Sequence, residues 1–366
     1  MNKKTKYAII GSGSMGREHI RNIDIIEDAE VVALSDPHNN SLKQSLELLN
    51  KNIPTFTNHI ELMNSNLADA YIVSSPNFTH INILQDIIVS KKHLLIEKPL
   101  CTTTDDCKKF KELTKNYPAV IWTAMEYRYM PPVKKMIKAI HSNKIGDLKM
   151  LSIREHRFPF LKKINDWNRF SINSGGTLVE KCCHFFDLMR LIIKSEPEKI
   201  YASGKQDVNH LNEDYNGKKP DIIDNAYVIV DFKNGVRSLL DLCMFAENSK
   251  YQEELCAVGN LGKIETEVPA SRSGLASSEL RIGLRENNKM ETEVVEVDKK
   301  ILEAGHHHGS TYYEHLAFLN SIKNNTQAEV SLNDGLMAVA IGDAMGAGQL
   351  AGYCLLLFLA GRNQLL

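Results

Sequence analysis

From Lys6 to about Thr123, short β-rich runs alternate with amphipathic stretches, a rhythm that leaves few folds open. The runs cover residues 7–10, 31–35, 70–74, 93–96 and 119–123, and between them residues 78–90 and 104–115 carry apolar positions at three- and four-residue spacing. Strands separated by helices need crossover connections, so the sheet is parallel and the helices cover it. The expectation is an α/β fold, opening with a doubly wound parallel sheet over residues 1–123.

After Ala124 the rhythm changes. A helix is expected over 132–142, a strand over 148–154 and a continuous helix over 177–193, and then strands dominate. Runs 225–232 and 236–245 flank Lys233-Asn234-Gly235, and an Asn-Gly step between two β-rich runs is a hairpin signal. Runs 255–258, 264–268, 279–284 and 291–297 continue the pattern before a helix over 315–324. Residues 124–345 therefore read as an α+β domain with a mainly antiparallel sheet and helices on one face. A chain of 366 residues is long enough for two such cores.

Lysine and arginine total 44 against 45 acidic residues, so no large field draws the chain to nucleic acid or to an acidic membrane. A small ligand is the expected partner. Seven cysteines with no CxxC pair fit reduced thiols, and the polar, basic start precedes an apolar run too short for a signal peptide. The expected compartment is the cytoplasm. Residues 346–366 form an apolar C-terminal segment of unclear role, shorter in its apolar run (346–361) than the ~20 residues of a spanning helix. A buried helix or a contact between copies is its expected use, with a peripheral membrane foothold as the reservation.

Gly11-Ser12-Gly13-Ser14-Met15-Gly16 follows the first run directly, opens a helical stretch over 15–25, and is followed twenty residues beyond Gly16 by Asp36 at the end of the next strand. A GxGxxG alone is a weak signal. With strand, helix and acid in place it reads as a dinucleotide site. Gly11 makes the tight turn, Gly13 lets backbone approach a pyrophosphate at the helix start formed by Ser14 and Met15, and Gly16 lets helix and strand pack closely. Asp36 would accept from the adenosine ribose hydroxyls and repel a 2′-phosphate, so the expected cofactor is NAD.

Three further pieces carry chemistry. Glu97-Lys98-Pro99 ends the strand over 93–96, at the sheet edge where open α/β folds bind ligands. Ser75-Pro76-Asn77 ends the strand over 70–74, with His80 three residues on. In the run from Gly175-Gly176 to Asp187, Glu180 and His184 stand four apart on one expected helical face, a spacing at which a carboxylate can orient an imidazole. Adjacent Cys182 and Cys183 point apart on a helix, and consecutive histidines such as His306-His307-His308 rarely point at one ion, so no metal is expected at either.

In this order, the glycine motif, Ser75-Pro76-Asn77-x-x-His80, Glu97-Lys98-Pro99 and the Gly-Gly helix bearing His184 resemble the Gfo/Idh/MocA oxidoreductases, from Lys6 to about Ala344. The resemblance implies hydride transfer between a nicotinamide and a CH–OH or carbonyl carbon of a sugar, inositol or related polyol. It also implies a homodimer or homotetramer. Lys98 is then the group beside the reacting oxygen and His184 the proton-transfer group, with Glu180 where the family usually has aspartate. Ser75, Pro76, Asn77, His80, Glu97 and Lys98 join the glycine motif in holding the cofactor. Arg128, His156, Arg157, Trp167, Lys181 and His307 are weaker substrate-side candidates, rich in donors and aromatic surface suited to a polyol. Two rival readings stay open: an NAD-binding sensor without turnover, and an NAD-assisted glycoside hydrolase.

Overall fold

A computed structural model describes residues 4–270, 273–346 and 353–356. The chain divides into two compact units, one of residues 1–130, 172–175 and 297–340, the other of residues 131–171, 176–296 and 341–366. The sequence places one boundary between 123 and 124. In the structure the chain also returns to the first unit after Glu296.

The first unit holds a six-stranded sheet built from β1 (Thr5–Ile10), β2 (Ala29–Ser35), β3 (Thr55–Phe56), β4 (Ala70–Val73), β5 (His93–Glu97) and β6 (Ile121–Ala124). Their order is β3-β2-β1-β4-β5-β6, and every neighbouring pair is parallel. Parallel strands are covered on both faces, which is why Ala70, Tyr71, Ile72 and Val73 are all fully buried and read as an unbroken apolar run. The direction in which successive strands are added across the sheet reverses between β1 and β4, and such a switch point leaves a crevice beyond the carboxyl ends of the strands. The glycine motif leaves β1 there, Ser74 leaves β4, and Lys98 leaves β5.

The second unit holds a nine-stranded sheet of β7 (Leu148–His156), β8 (Pro197–Lys205), β9 (Asn225–Phe232), β10 (Arg237–Cys243), β11 (Tyr251–Gly259), β12 (Gly262–Pro269), β13 (Ser277–Leu284), β14 (Met290–Glu296) and β15 (Tyr353–Leu356). The order is β14-β13-β12-β11-β7-β10-β9-β8-β15. All neighbours are antiparallel except β7 with β10. On β7 the odd positions Leu151, Ile153 and Glu155 are buried while Met150 and Arg154 are exposed, the period of a sheet with one covered face. The expected hairpin forms at Asn234-Gly235, with Gly235 at φ 84° and its N–H donating to the Phe232 carbonyl at 2.8 Å.

One expected element is corrected. Residues 177–193 are two helices, Thr177–Glu180 and Cys183–Ile193, because the Cys182 N–H reaches the Thr177 carbonyl five residues back and the next turn restarts from the Cys182 carbonyl. Glu180 and His184 therefore lie on opposite sides of a break and not on one continuous helical face. The helix expected over 315–324 begins earlier, as Ser310–Asn324, capped by Gly309 at φ 82°. Among the described residues no helix is long and apolar enough to cross a membrane. Of the apolar C-terminal segment, Tyr353–Leu356 pairs with the β8 edge. The rest of it beyond Gly346 lies outside the described residues, and so do the uses expected for it.

Candidate active site

The glycine motif has three distinct geometries. Gly11 sits at φ 92°, and a Cβ there would lie 2.5 Å from the Ser75 backbone nitrogen. At Gly16 a Cβ would lie 2.2 Å from the Gly11 carbonyl oxygen, so only glycine lets the helix Ser14–Asp24 approach the turn. At Gly13 a Cβ would meet nothing within 4 Å. Gly13 thus serves neither turn nor packing, and its bare backbone leaves space beside a helix start that has no side-chain cap and no acidic residue in its first turn. Arg17 donates to the Ser12 carbonyl at 3.1 Å and brings a cation to the same turn.

Asp36, at the end of β2, is buried and braces this turn. Its Oδ2 accepts from the Ser12 N–H at 2.9 Å and its Oδ1 from the His38 N–H at 2.8 Å. A carboxylate has about four acceptor positions, so ribose hydroxyls can still be received. These features fit a dinucleotide, and Gly11, Gly13, Ser14, Met15, Gly16 and Asp36 are the residues that would hold it.

Further along the sheet edge, Ser74 Oγ donates to the Gly11 carbonyl at 2.8 Å, Thr79 Oγ1 to Ser75 Oγ at 2.8 Å, and Asn77 Nδ2 to the Ser174 carbonyl at 3.1 Å. His80, expected among the cofactor contacts, is fully buried. Its Nδ1 lies 2.9 Å from the Pro99 carbonyl oxygen and its Nε2 3.1 Å from that of Ser75. The ring staples the turn after β4 to the turn bearing Lys98. Burial lowers its pKa against the pull of those carbonyls, so the ring is neutral and its single N–H donates to one of them at a time.

Glu97 likewise turns inward. Its Oε1 lies 3.0 Å from His19 Nε2, and its Oε2 accepts from the Lys98 backbone N–H at 3.0 Å. Sequence reasoning missed His19, His315, Glu18 and Glu126 altogether. Each is a polar residue inside a helical or turn pattern, where only the fold reveals burial at 2% or less.

In the second unit His184 is 1% exposed, at the start of Cys183–Ile193, and Glu180 is buried at the end of the preceding short helix. Lys181 Nζ pairs with Glu155 Oε1 at 2.8 Å, and Arg157 Nη1 lies 3.4 Å from the same oxygen. Glu155 is on the covered face of β7, and Arg157 follows one residue past the strand's end. His156 lies on the other face, paired with Asp241 at 3.1 Å, and so is not brought to Lys181. Trp167 is half-buried in the turn Ile164–Arg169, where Asn165 and Asp166 take positive φ.

In the first unit Arg128 is held by Asp334 at 3.3 Å and by the Glu329 carbonyl at 3.1 Å, and His307 by Glu18 at 3.1 Å. These two substrate-side candidates sit in ion pairs. Among the described residues no group of three or more histidine, cysteine or acidic side chains could hold a metal.

A parallel sheet with this strand order, a glycine turn at its switch point and an acid closing the second strand define a dinucleotide-binding Rossmann protein. Residues 5–125 match the family model described as the oxidoreductase family NAD-binding Rossmann fold, and residues 137–347 match its C-terminal alpha/beta domain. The chain belongs to the Gfo/Idh/MocA oxidoreductase family and is an NAD-binding oxidoreductase. It is 27% identical to a myo-inositol 2-dehydrogenase of Thermotoga maritima, over 93% of this chain and 94% of that protein. A solved structure of a probable dehydrogenase from Thermotoga maritima is 25% identical, covers 93% of this chain and 95% of its own, and superposes with a TM-score of 0.73. A levoglucosan dehydrogenase solved with NADH and levoglucosan, 17% identical over 96% of this chain and 99% of that chain with a TM-score of 0.81, shows the fold alone.

Proposed function

We propose that this chain transfers a hydride between NAD(H) and a CH–OH or carbonyl carbon of a sugar, inositol or related polyol. The observation that carries the reading is the placement of Lys98. It leaves the carboxyl end of β5, in the sheet whose switch point carries the glycine turn, and its backbone is tied down by Glu97 and by His80 through Pro99. The full-length relation to a protein named myo-inositol 2-dehydrogenase supports the substrate class.

Bound NAD supplies the hydride acceptor. Oxidising an alcohol also leaves a proton to remove, and His184 is the group for it, since an imidazole has an ordinary pKa near ~6.5. The Lys98 ammonium stabilises the alkoxide as negative charge develops on oxygen. Glu180, buried at the end of the preceding short helix, is the third candidate. We further propose work in the cytoplasm as a homodimer or homotetramer. The free thiols support the first part, and the exposed Met150, Tyr227 and Ile229 on the outer face of the second sheet support the second.

The test is NADH production with a panel of inositols, aldoses, sugar acids and aminosugars. One active polyol, with Lys98→Ala and His184→Ala each lowering kcat by about two to four decades while NADH binding is kept, supports the reading. Turnover of glycosides without net NADH, or near-normal rates in either variant, overturns it.

A further inference from the structure

We propose that His19 and His315 are positioning residues for Lys98, forming with Glu97 a buried hydrogen-bond chain whose inner end fixes the Lys98 backbone. The inference rests on the reading that Lys98 acts in the reaction.

The chain has three links. His315 Nε2 lies 2.9 Å from His19 Nδ1, His19 Nε2 lies 3.0 Å from Glu97 Oε1, and Glu97 Oε2 accepts from the Lys98 N–H at 3.0 Å. The members come from distant parts of the sequence: the helix Ser14–Asp24, the end of β5 and the helix Ser310–Asn324. Both imidazoles are 1% exposed or less and Glu97 is 4% exposed, so water does not complete these bonds.

Hydrogen counting fixes the direction of every link. Burial would raise the Glu97 carboxyl, but the hydrogen bond from His19 brings it below its ordinary value, so it is an acceptor at both oxygens. His19 must therefore donate from Nε2. Its Nδ1 faces His315 Nε2, and one of the two rings supplies the proton between them. Burial holds the His315 pKa well below its ordinary value, so this ring is neutral with a single N–H. The His315 Nδ1 is buried without a partner among the described residues. A buried bare acceptor is the cheaper kind of orphan; reversing the chain would leave a buried N–H there instead. All donors thus run toward Glu97.

Removing the donor at His19 leaves a buried carboxylate short of a partner, and the cheapest relief is to protonate or rotate it. Either relief loosens its hold on the Lys98 N–H. An ammonium displaced by about 1 Å from a reacting oxygen costs on the order of 100-fold in rate.

The experiment uses the full-length protein with 15N-labelled histidine and lysine. We expect both imidazoles to carry a proton on Nε2 and none on Nδ1. We expect His19→Leu to speed exchange of the Lys98 amide about tenfold. The same variant lowers kcat on myo-inositol about 100-fold with KM and NADH binding little changed. His19→Gln, which keeps a donor toward Glu97 and an acceptor toward His315, recovers most of both. His315→Leu gives the same signs in smaller measure and stands in if His19→Leu does not fold.

An Nδ1–H form at either ring overturns the proposal. So does wild-type amide exchange in the leucine variants, or a glutamine variant as impaired as leucine. A wild type that turns over no polyol sinks the functional reading instead, and the ring tautomers and Lys98 exchange still decide the positioning claim.

Discussion

His307 donates from Nδ1 to the buried carboxylate of Glu18 at 3.1 Å, joining the segment before Ser310–Asn324 to the helix that follows the glycine turn. The same Glu18 oxygen also accepts from the His306 N–H and from Thr311 Oγ1, each at 3.1 Å. Gly305 permits the approach, since a Cβ there would lie 2.7 Å from that oxygen. Burial would raise the carboxyl, yet His307, by charge and by hydrogen bond, and the His306 N–H bring it down to about 2, from 4.5.

A depressed carboxyl stabilises the fold above its unfolded pKa, and that stability is lost as pH falls through the folded value. Glu18→Gln should therefore lower unfolding free energy at pH 7 by on the order of 3 kcal/mol. The deficit should shrink as pH falls below about 4.5 toward about 2. Urea unfolding of both proteins at several pH values measures it, and a deficit independent of pH would assign the loss to packing.

Glu126 should behave in the opposite sense. Burial pushes its carboxyl up to about 7; His307 and Lys98 pull against this, and Glu97 adds to it. A raised carboxyl contributes stability that is fully present below about pH 4.5 and lost as pH rises through about 7. Glu126→Gln should match the wild type near pH 4.5 and exceed it above pH 7, by on the order of 3 kcal/mol. Thermal melts between pH 5 and pH 8.5 distinguish this from a variant that is destabilised throughout.

Gly13 and Gly16 give a paired test of the cofactor turn. A methyl at residue 16 would collide with backbone, whereas at residue 13 it would meet nothing within 4 Å and the φ of −71° suits alanine. Gly13→Ala should fold with unchanged stability and bind NADH at least about tenfold more weakly, one lost backbone approach being worth about 1.4 kcal/mol. Gly16→Ala should lose stability first, by about 1–3 kcal/mol. NADH fluorescence titration alongside urea unfolding separates the two. Equal effects on both quantities in both variants would mean the turn has one function only.

The sheet edges were legible because parallel strands buried on both faces spell themselves out as β-branched runs, as at residues 70–74, and because glycine spacing has a steric meaning. What escaped has physical causes. The helix Leu332–Asp343 contains Gly335, which reads as a breaker in sequence but stands where a Cβ would lie 2.9 Å from Thr123 Oγ1. The strand Pro197–Lys205 buries only Pro197 and Ile200, so it lacks the alternation of its neighbours. The inner network of His19, Glu97 and His315 joins residues nearly three hundred positions apart, a separation no local pattern encodes. Lys98 and Glu97 were visible as a motif, but that Glu97 faces inward was not.

Lys181 was read as a substrate-side cation, and its surroundings argue for a different use. Its ammonium lies 2.8 Å from Glu155 Oε1, with the two side chains 5% and 0% exposed. Glu253 stands directly across from Glu155 in the β11–β7 register and is buried as well. Burial first, and then the charge of Glu155, push the Glu253 carboxyl up, so Glu155 carries the negative charge that Lys181 answers. Removing one partner of a buried pair costs about 3–5 kcal/mol where nothing else answers the ion left behind, and Arg157, 3.4 Å from the same Glu155 oxygen, answers part of it here. Lys181→Met should therefore destabilise by up to about 3 kcal/mol, and Lys181→Met with Glu155→Gln should regain part of that loss. A double-mutant cycle by urea unfolding measures the coupling. If the single variant instead unfolds within about 1 kcal/mol of the wild type and raises KM for the active polyol, the ammonium serves the substrate after all.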